Sequence, residues 1–317
     1  MFKLNATMIK LRTLFLLVPF IALFSCSDEE SSGPIYNTLP VAADCKLASY
    51  TYVESIDSAN VNFLRYENTE TYTYESELLK TYRDDVNYSF IDTTGQRQEQ
   101  SGFIVYDFEY SGTELVSVQN NGQELLGIRN VDGRPYILFA EASSGGQIEF
   151  VMEYDDQNRL KYVYNKEDQG GEISTISHYE MIYDEQGNIV EFSLTAANGT
   201  KELINDFQYN STMKNPYQGL IFFIISLFET SFENDGMFFG DASKLSPGMA
   251  QFYRLSIYNY QTERYERSQY VETDDFDEDM TYTTNENNYP KTGSKTFNFA
   301  PGIITSVNET YTYTNCD

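Results

Sequence analysis

The residues able to do chemistry are few and scattered. His178 is the one histidine of the chain, so multi-histidine metal sites are excluded and any Ser–His or Cys–His catalysis rests on that residue. It lies in a strand-like run, where alternation sets it with Ile176 and Glu180 and opposite Tyr179 and Met181. No motif surrounds it, and it reads as structural or solvent-facing. The densest acidic run is 274–279, in which Asp275, Asp277 and Asp279 have the spacing that opens a calcium loop. Glu286 falls at the twelfth position of such a loop, but Met280 occupies the sixth, where the turn needs glycine, and strand-like residues fill the centre. A solvated acidic hairpin is the plainer reading, with a weak calcium site of other geometry as the alternative. Paired carboxylates for glycoside hydrolysis carry no weight in a chain with 48 acidic residues. No G-x-S-x-G, P-loop, zinc spacing or dinucleotide fingerprint occurs, and no cofactor is expected.

The three cysteines are more informative. Lys3, Lys10 and Arg12 precede an apolar run over residues 14–24. That run is too short for a hydrocarbon core needing about 20 residues, and it reads as a signal peptide. It ends in Leu23-Phe24-Ser25-Cys26, which resembles a bacterial lipobox with Cys26 as the acylated mature N-terminus. The acidic Ser27-Asp28-Glu29-Glu30 that follows resembles the surface-export signal of Bacteroidota lipoproteins. The expected organisation is therefore a signal peptide over 1–25, a polar tether over 26–40 and one folded domain over 41–317. Attachment to the outer membrane runs through acyl chains, each buried methylene contributing about 0.8 kcal/mol. Cys45 and Cys316 remain, one at each end of the folded region. Export permits a disulfide between them, which sets the first and last strands side by side as antiparallel neighbours. Two free buried thiols are the alternative.

Charge narrows the partners. The 317 residues carry 21 basic and 48 acidic side chains, a net charge of −27. Losing Lys3, Lys10 and Arg12 with the signal takes the mature chain from −27 to −30. Such a surface repels polyphosphates, so nucleic acid is not a partner. With 41% hydrophobic and 15% aromatic residues, the chain can bury a core.

The elements that must position any site are strands. Residues 49–53, 70–74, 103–110, 160–164, 202–209 and 309–314 alternate apolar or aromatic with polar side chains, rich in tyrosine and β-branched residues. Turn clusters at 92–95, 120–122, 132–133, 143–146, 170–171 and 198–199 separate the runs at hairpin spacing.

A repeat underlies the pattern. Met152-Glu-Tyr154-Asp155-Asp-Gln-Asn-Arg-Leu160 aligns with Met181-Ile-Tyr183-Asp184-Glu-Gln-Gly187-Asn-Ile189. Residues 72–78, 108–115 and 281–290 are shorter relatives. Each reads as a strand ending in an aromatic, a tight turn, and a strand opening with an aliphatic residue that packs on the aromatic. Asp155 and Asp184 are turn residues first. These Y-D-x-x-G-x-[LI] hairpins resemble the YD repeats of RHS proteins. With the lipobox and flanking cysteines they resemble a group of Bacteroidota surface lipoproteins of unknown function with a porin-like sheet. Lys214-Asn215-Pro216-Tyr217-Gln-Gly219-Leu220 is similar to that group's K-N-P-[FY]-x-G-[LI] segment. The resemblance implies a fold and supplies no catalytic residue.

One passage is not strand-like. Asn215 suits an N-cap and Pro216 a first helical position, so a helix over 216–229 is expected around the apolar run 220–228; a central strand is the alternative. The expected fold is all-β: an antiparallel up-and-down meander of some 14 to 18 strands curled into a barrel or half-barrel, with this helix packed against it. Its strands lack the lipid-facing apolar band of a transmembrane barrel. The leading functional expectation is a non-catalytic cell-surface lipoprotein binding an extracellular ligand or partner protein. The rivals are a glycan hydrolase using paired carboxylates and a carrier holding an apolar molecule beneath the helix.

Overall fold

The computed structural model describes residues 45–316, apart from 58–62, 76, 93, 142–146, 169–172, 234–244, 262–263, 268–279 and 301–302. Residues 1–40 with Cys26, the run holding Asp275, Asp277 and Asp279, and the turn clusters 143–146 and 170–171 lie outside the described residues.

Among the described residues, alternating side chains give seventeen strands: β1 (Lys46–Asp57), β2 (Phe63–Glu75), β3 (Leu78–Ile91), β4 (Arg97–Ser111), β5 (Glu114–Asn120), β6 (Gln123–Val131), β7 (Arg134–Glu141), β8 (Gln147–Tyr154), β9 (Leu160–Asp168), β10 (Ile173–Tyr183), β11 (Ile189–Ala196), β12 (Lys201–Lys214), β13 (Gly248–Asn259), β14 (Arg264–Arg267), β15 (Thr281–Thr284), β16 (Pro290–Ala300) and β17 (Ile303–Thr314), with one helix, α1 (Leu220–Glu233), between β12 and β13. Each strand from β1 to β13 pairs with the next. β15 pairs with β16, β16 with β17, and β17 returns to β1. The sheet is a nearly closed, barrel-shaped meander, as the alternation predicts.

Every registered pair among the described residues is antiparallel, which has a topological consequence. A ring of strictly alternating strands needs an even number of them. Following the strand directions round the described strands sets β14 and β15 in the same sense, and the residues between them, 268–279, lie outside the described residues.

The repeat turns behave as their chemistry dictates. Asp155 N donates to Arg159 O (2.9 Å) and Asn158 N to Asp155 O (3.0 Å), while Asp155 Oδ1 accepts from the Gln157 and Arg159 amides. Asp184 and Asn285 hold the equivalent turns. The penultimate turn position has positive φ in each, at Asn158 (62°), Gly187 (85°) and Asn288 (66°), the conformation Gly and Asn tolerate. Asp155 and Asp184 are thus turn residues.

The tyrosine before each turn reaches further than the sequence implies. Tyr154 and Tyr183 stand opposite the aliphatic residues of their own repeats, Leu160 and Ile189. Their hydroxyls, however, reach back to the strand before their own. Tyr183 donates to Leu160 O (2.5 Å), Tyr154 to Pro135 O (2.7 Å) and Tyr209 to Ile189 O (2.7 Å). Tyr110 bonds Leu79 O (2.8 Å), Tyr74 bonds Leu47 O (3.0 Å) and Tyr313 bonds Pro290 O (2.6 Å). Asn130 takes the same role toward Leu115 O (2.8 Å). Several of the rings also carry a cation from the residue beside the bonded carbonyl: Lys46 on Tyr74, Arg134 on Tyr154 and Arg159 on Tyr183, 4.4–5.5 Å from the centroids. The hairpins β2–β3, β4–β5, β6–β7, β8–β9 and β10–β11 are therefore latched to the strand before them along one rim, and β12 and β17 likewise. Tyr183→Phe removes one latch and leaves the Leu160 carbonyl without it. We expect a loss of about 1–2 kcal/mol, read as a lower urea midpoint with an unchanged slope.

Helix α1 differs from the expectation in its start. Asn215 Oδ1 accepts from Tyr217 N (2.9 Å) within a turn closed by Gln218 N donating to Asn215 O (3.4 Å), and the Asn215 side-chain Nδ2 donates to Ser246 O (3.0 Å). The first helical bonds go to Gly219 O from Phe222 N (3.1 Å) and Phe223 N (3.3 Å). Gly219 has φ 145°, outside helical space, so the helix begins at 220 rather than 216. Its opening residues, 220–226, are all buried. Phe222 packs edge-on to Tyr72 (5.4 Å) and Tyr217 (5.8 Å), so the helix is core on the inner face of the sheet.

Candidate functional site

The face of β1, β2 and β17 that looks toward α1 carries the densest polar chemistry. Glu70-Thr-Tyr72-Thr-Tyr74 on β2 and Glu309-Thr-Tyr311-Thr-Tyr313 on β17 are the same pentapeptide. Both strands are antiparallel to β1 and flank it. Period 2 puts each glutamate on the tyrosine side, which is the buried side. Tyr50 stands between Glu70, its direct partner on β2, and Tyr311, its partner on β17. Tyr50 donates to Glu309 Oε1 (3.0 Å) and Tyr311 to Glu309 Oε2 (2.9 Å). Glu70 Oε2 accepts from Tyr72 and from Tyr217 (3.3 Å). Asp84 on β3 lies directly across from Glu70, a like-charge neighbour that costs stability on its own.

Electrostatics follow from this burial. Burial first, then the Glu309 and Glu70 carboxylates, push the Tyr50 phenol well above its ordinary value. Burial and Glu309 do the same to Tyr311, and burial and Glu70 to Tyr217. These phenols are held as proton donors, not as bases or nucleophiles. The carboxylates spend lone pairs on them. The cluster is a buried network that joins α1 to the sheet through Tyr217, and it offers no free acid and nucleophile. Sequence reading recognised both pentapeptides as strands and missed the network; the signal was a glutamate sharing the tyrosines' parity.

A second site opens on the other face, at the end of the barrel away from Cys45. There β2, β3 and β4 form a cleft of about 450 Å³. One wall is the ion pair Arg65–Glu67 (2.5 Å) on β2, the other is Arg97–Glu99 (3.3 Å) on β4, and Asn87 and Ser89 of β3 lie between. The register aligns Arg65, Ser89 and Glu99 in one row, and Glu67, Asn87 and Ser101 in the next. Ser89 is 5% exposed and its hydroxyl has no hydrogen-bond partner among the described residues.

The remaining sequence candidates are dispersed. Cys45 and Cys316 form a disulfide with Cα atoms 4.4 Å apart, which joins the start of β1 to the end of β17. His178 lies on the outward face of β10, its ring 5.6 Å from Tyr164 and 6.0 Å from Tyr162. Those tyrosines donate to Glu153 (3.3 Å) and Glu180 (3.0 Å), and no nucleophile joins the group among the described contacts. No three of His, Cys, Asp or Glu converge as a metal-holding group among the described residues.

No family model matches the chain, and no curated protein does. Among solved structures, a porin-like protein from Bacteroides uniformis ATCC 8492 has a TM-score of 0.51 at 12% sequence identity, covering 89% of this chain and 100% of that one. The chain therefore shares the fold of that porin-like sheet. The outward face of β2–β4 is nonetheless charged, with Arg65, Glu67, Arg83, Asp85, Arg97 and Glu99. In a bilayer, such side chains on the lipid face cost up to about 2–4 kcal/mol each, so this face suits water.

Proposed function

We infer that the chain is a non-catalytic lipoprotein of the outer membrane, held by acyl chains on Cys26 and exposed on the cell surface, where its barrel presents a ligand-binding cleft. The observation that carries this reading is the charged outward face of β2–β4. A barrel of that kind stands in water and needs a separate anchor, and the lipobox-like end at Cys26 is the segment of this sequence suited to supply one. The porin-like fold neighbour supports an association with the outer membrane. The engagement of Glu70 and Glu309 by tyrosine hydroxyls supports a binding role over a hydrolytic one. Replacing Cys26 by serine in the full chain is expected to move the protein out of the membrane fraction, and protease added to intact cells is expected to digest the wild type. A variant that stayed with the outer membrane through an alkaline wash would show that the sheet itself is embedded.

A further inference from the structure

We propose that the cleft over β2–β4 binds a short, neutral saccharide. This rests on the reading of the chain as a surface binding protein and names the class of ligand. Its volume, about 450 Å³, lies within the range of small-ligand sites and has room for one or two sugar rings. Every lining residue carries a hydrogen-bonding group, with apolar surface such as the Tyr88 ring between them, which disfavours a wholly apolar ligand, because such a ligand would strand the polar groups it covers. The fixed charges cancel: Arg65 against Glu67 and Arg97 against Glu99, on a chain whose net charge is −27. A balanced site gives no net attraction to an anion or a cation, and the surrounding acidity repels anions.

What the site does offer is donors and acceptors side by side. Each Arg–Glu pair sets guanidinium N–H groups next to carboxylate oxygens, the complement of two neighbouring hydroxyls, each both donor and acceptor. The two pairs face each other across one strand, so a flat polyol lying along β3 meets one on each side. The Ser89 hydroxyl at the floor is a buried polar group without a partner among the described residues. A bound hydroxyl, or the water it brings, completes it. The cleft also lies at the end of the barrel remote from Cys45.

The test is calorimetric titration of the detergent-solubilised full chain with maltose, cellobiose and xylobiose as neutral probes, and with glucuronate and glucosamine as charged ones. At least one neutral disaccharide is expected to bind, with an affinity unchanged between about 50 and about 500 mM salt. Asn87→Trp and Ser101→Trp, both at exposed positions that fill the cleft, are each expected to weaken it by about tenfold or more. Tyr164→Ala, on the outward face of β9, is expected to leave it unchanged. Binding indifferent to both tryptophans would remove the site from this cleft. Binding of glucuronate or glucosamine alone, blocked by the tryptophans, would overturn the neutral class while leaving a binding protein. No binding by any probe would overturn the saccharide assignment, whereas the Cys26→Ser result decides the lipoprotein reading separately.

Discussion

Replacing Cys45 and Cys316 together by serine is expected to lower the stability of the barrel by about 5 kcal/mol. The bridge spans 271 residues of chain. In the chain-entropy account, closing a loop that long removes about 5 kcal/mol of freedom from the unfolded state. Domains of this kind hold about 5–15 kcal/mol in all, so the loss is a third of the total or more. The bridge stands at one end of the β1–β17 ladder, which runs from Lys46↔Thr314 to Asp57↔Ile304 and is the contact of greatest sequence separation in the fold. Without it, the first and last strands must find each other through the whole chain. The Asn285 and Asn287 side-chain amides, donating to the sulfurs at 3.4–3.6 Å, hold the β15–β16 turn against the same bridge. Guanidinium unfolding of the serine variant, and of the wild type with and without a dithiol reductant, measures the effect. A shift below about 1 kcal/mol would mean that the unfolded chain already keeps its two ends together.

The second large effect is alkaline unfolding. Burial raises the phenols of the rim tyrosines Tyr74, Tyr110, Tyr154 and Tyr313 above the ordinary value of 10.0, and it does the same to Tyr179. Burial and neighbouring carboxylates raise Tyr50, Tyr217 and Tyr311 well above it. The folded values lie above the unfolded ones, so below pH 10 both states hold the protons and stability is flat. Above pH 10 the unfolded chain loses protons that the folded chain keeps, and stability falls as pH rises. Each such group contributes up to about 1.4 kcal/mol per pH unit. With several acting together, the barrel should unfold within about one to two units above the ordinary tyrosine value. The tyrosinate absorbance of these buried phenols is expected to appear in one cooperative step that coincides with the loss of strand circular dichroism. Tyr183→Phe and its rim counterparts give a second check: each lowers stability at neutral pH, and Tyr74→Phe in addition makes the alkaline slope shallower. Gradual, independent ionisation in a folded barrel would overturn this account.

What was legible in the sequence follows the range of the forces involved. Strand alternation, the aspartate turns and the apolar helix are local, so residues such as Asp155, Asp184 and 220–225 declare themselves. The pairing of Cys45 with Cys316 was legible because few cysteines remain once Cys26 is set aside. The start of α1 was misplaced because Asn215 and Pro216 suit a helix entry equally well as a turn, and the φ of Gly219 decides between them. The destinations of the tyrosine hydroxyls were hidden because Leu160 O and Tyr183 meet only once β9 and β10 are in register. The cleft draws on three strands and no motif, so Arg65, Ser89 and Glu99 become neighbours only through pairing. Glu70 and Glu309 were visible as residues on the wrong side of a pattern, and their meaning needed β1 between them.

The rim latches also bear on how such a barrel changes size. Because each hairpin from β2–β3 to β10–β11 is fastened to the strand before it by its own tyrosine or asparagine, a duplicate of such a pair of strands arrives with its fastening included. Insertion of one pair widens the circumference by two strand spacings, roughly 10 Å, and keeps every existing latch. Girth can vary while every existing fastening stays in place.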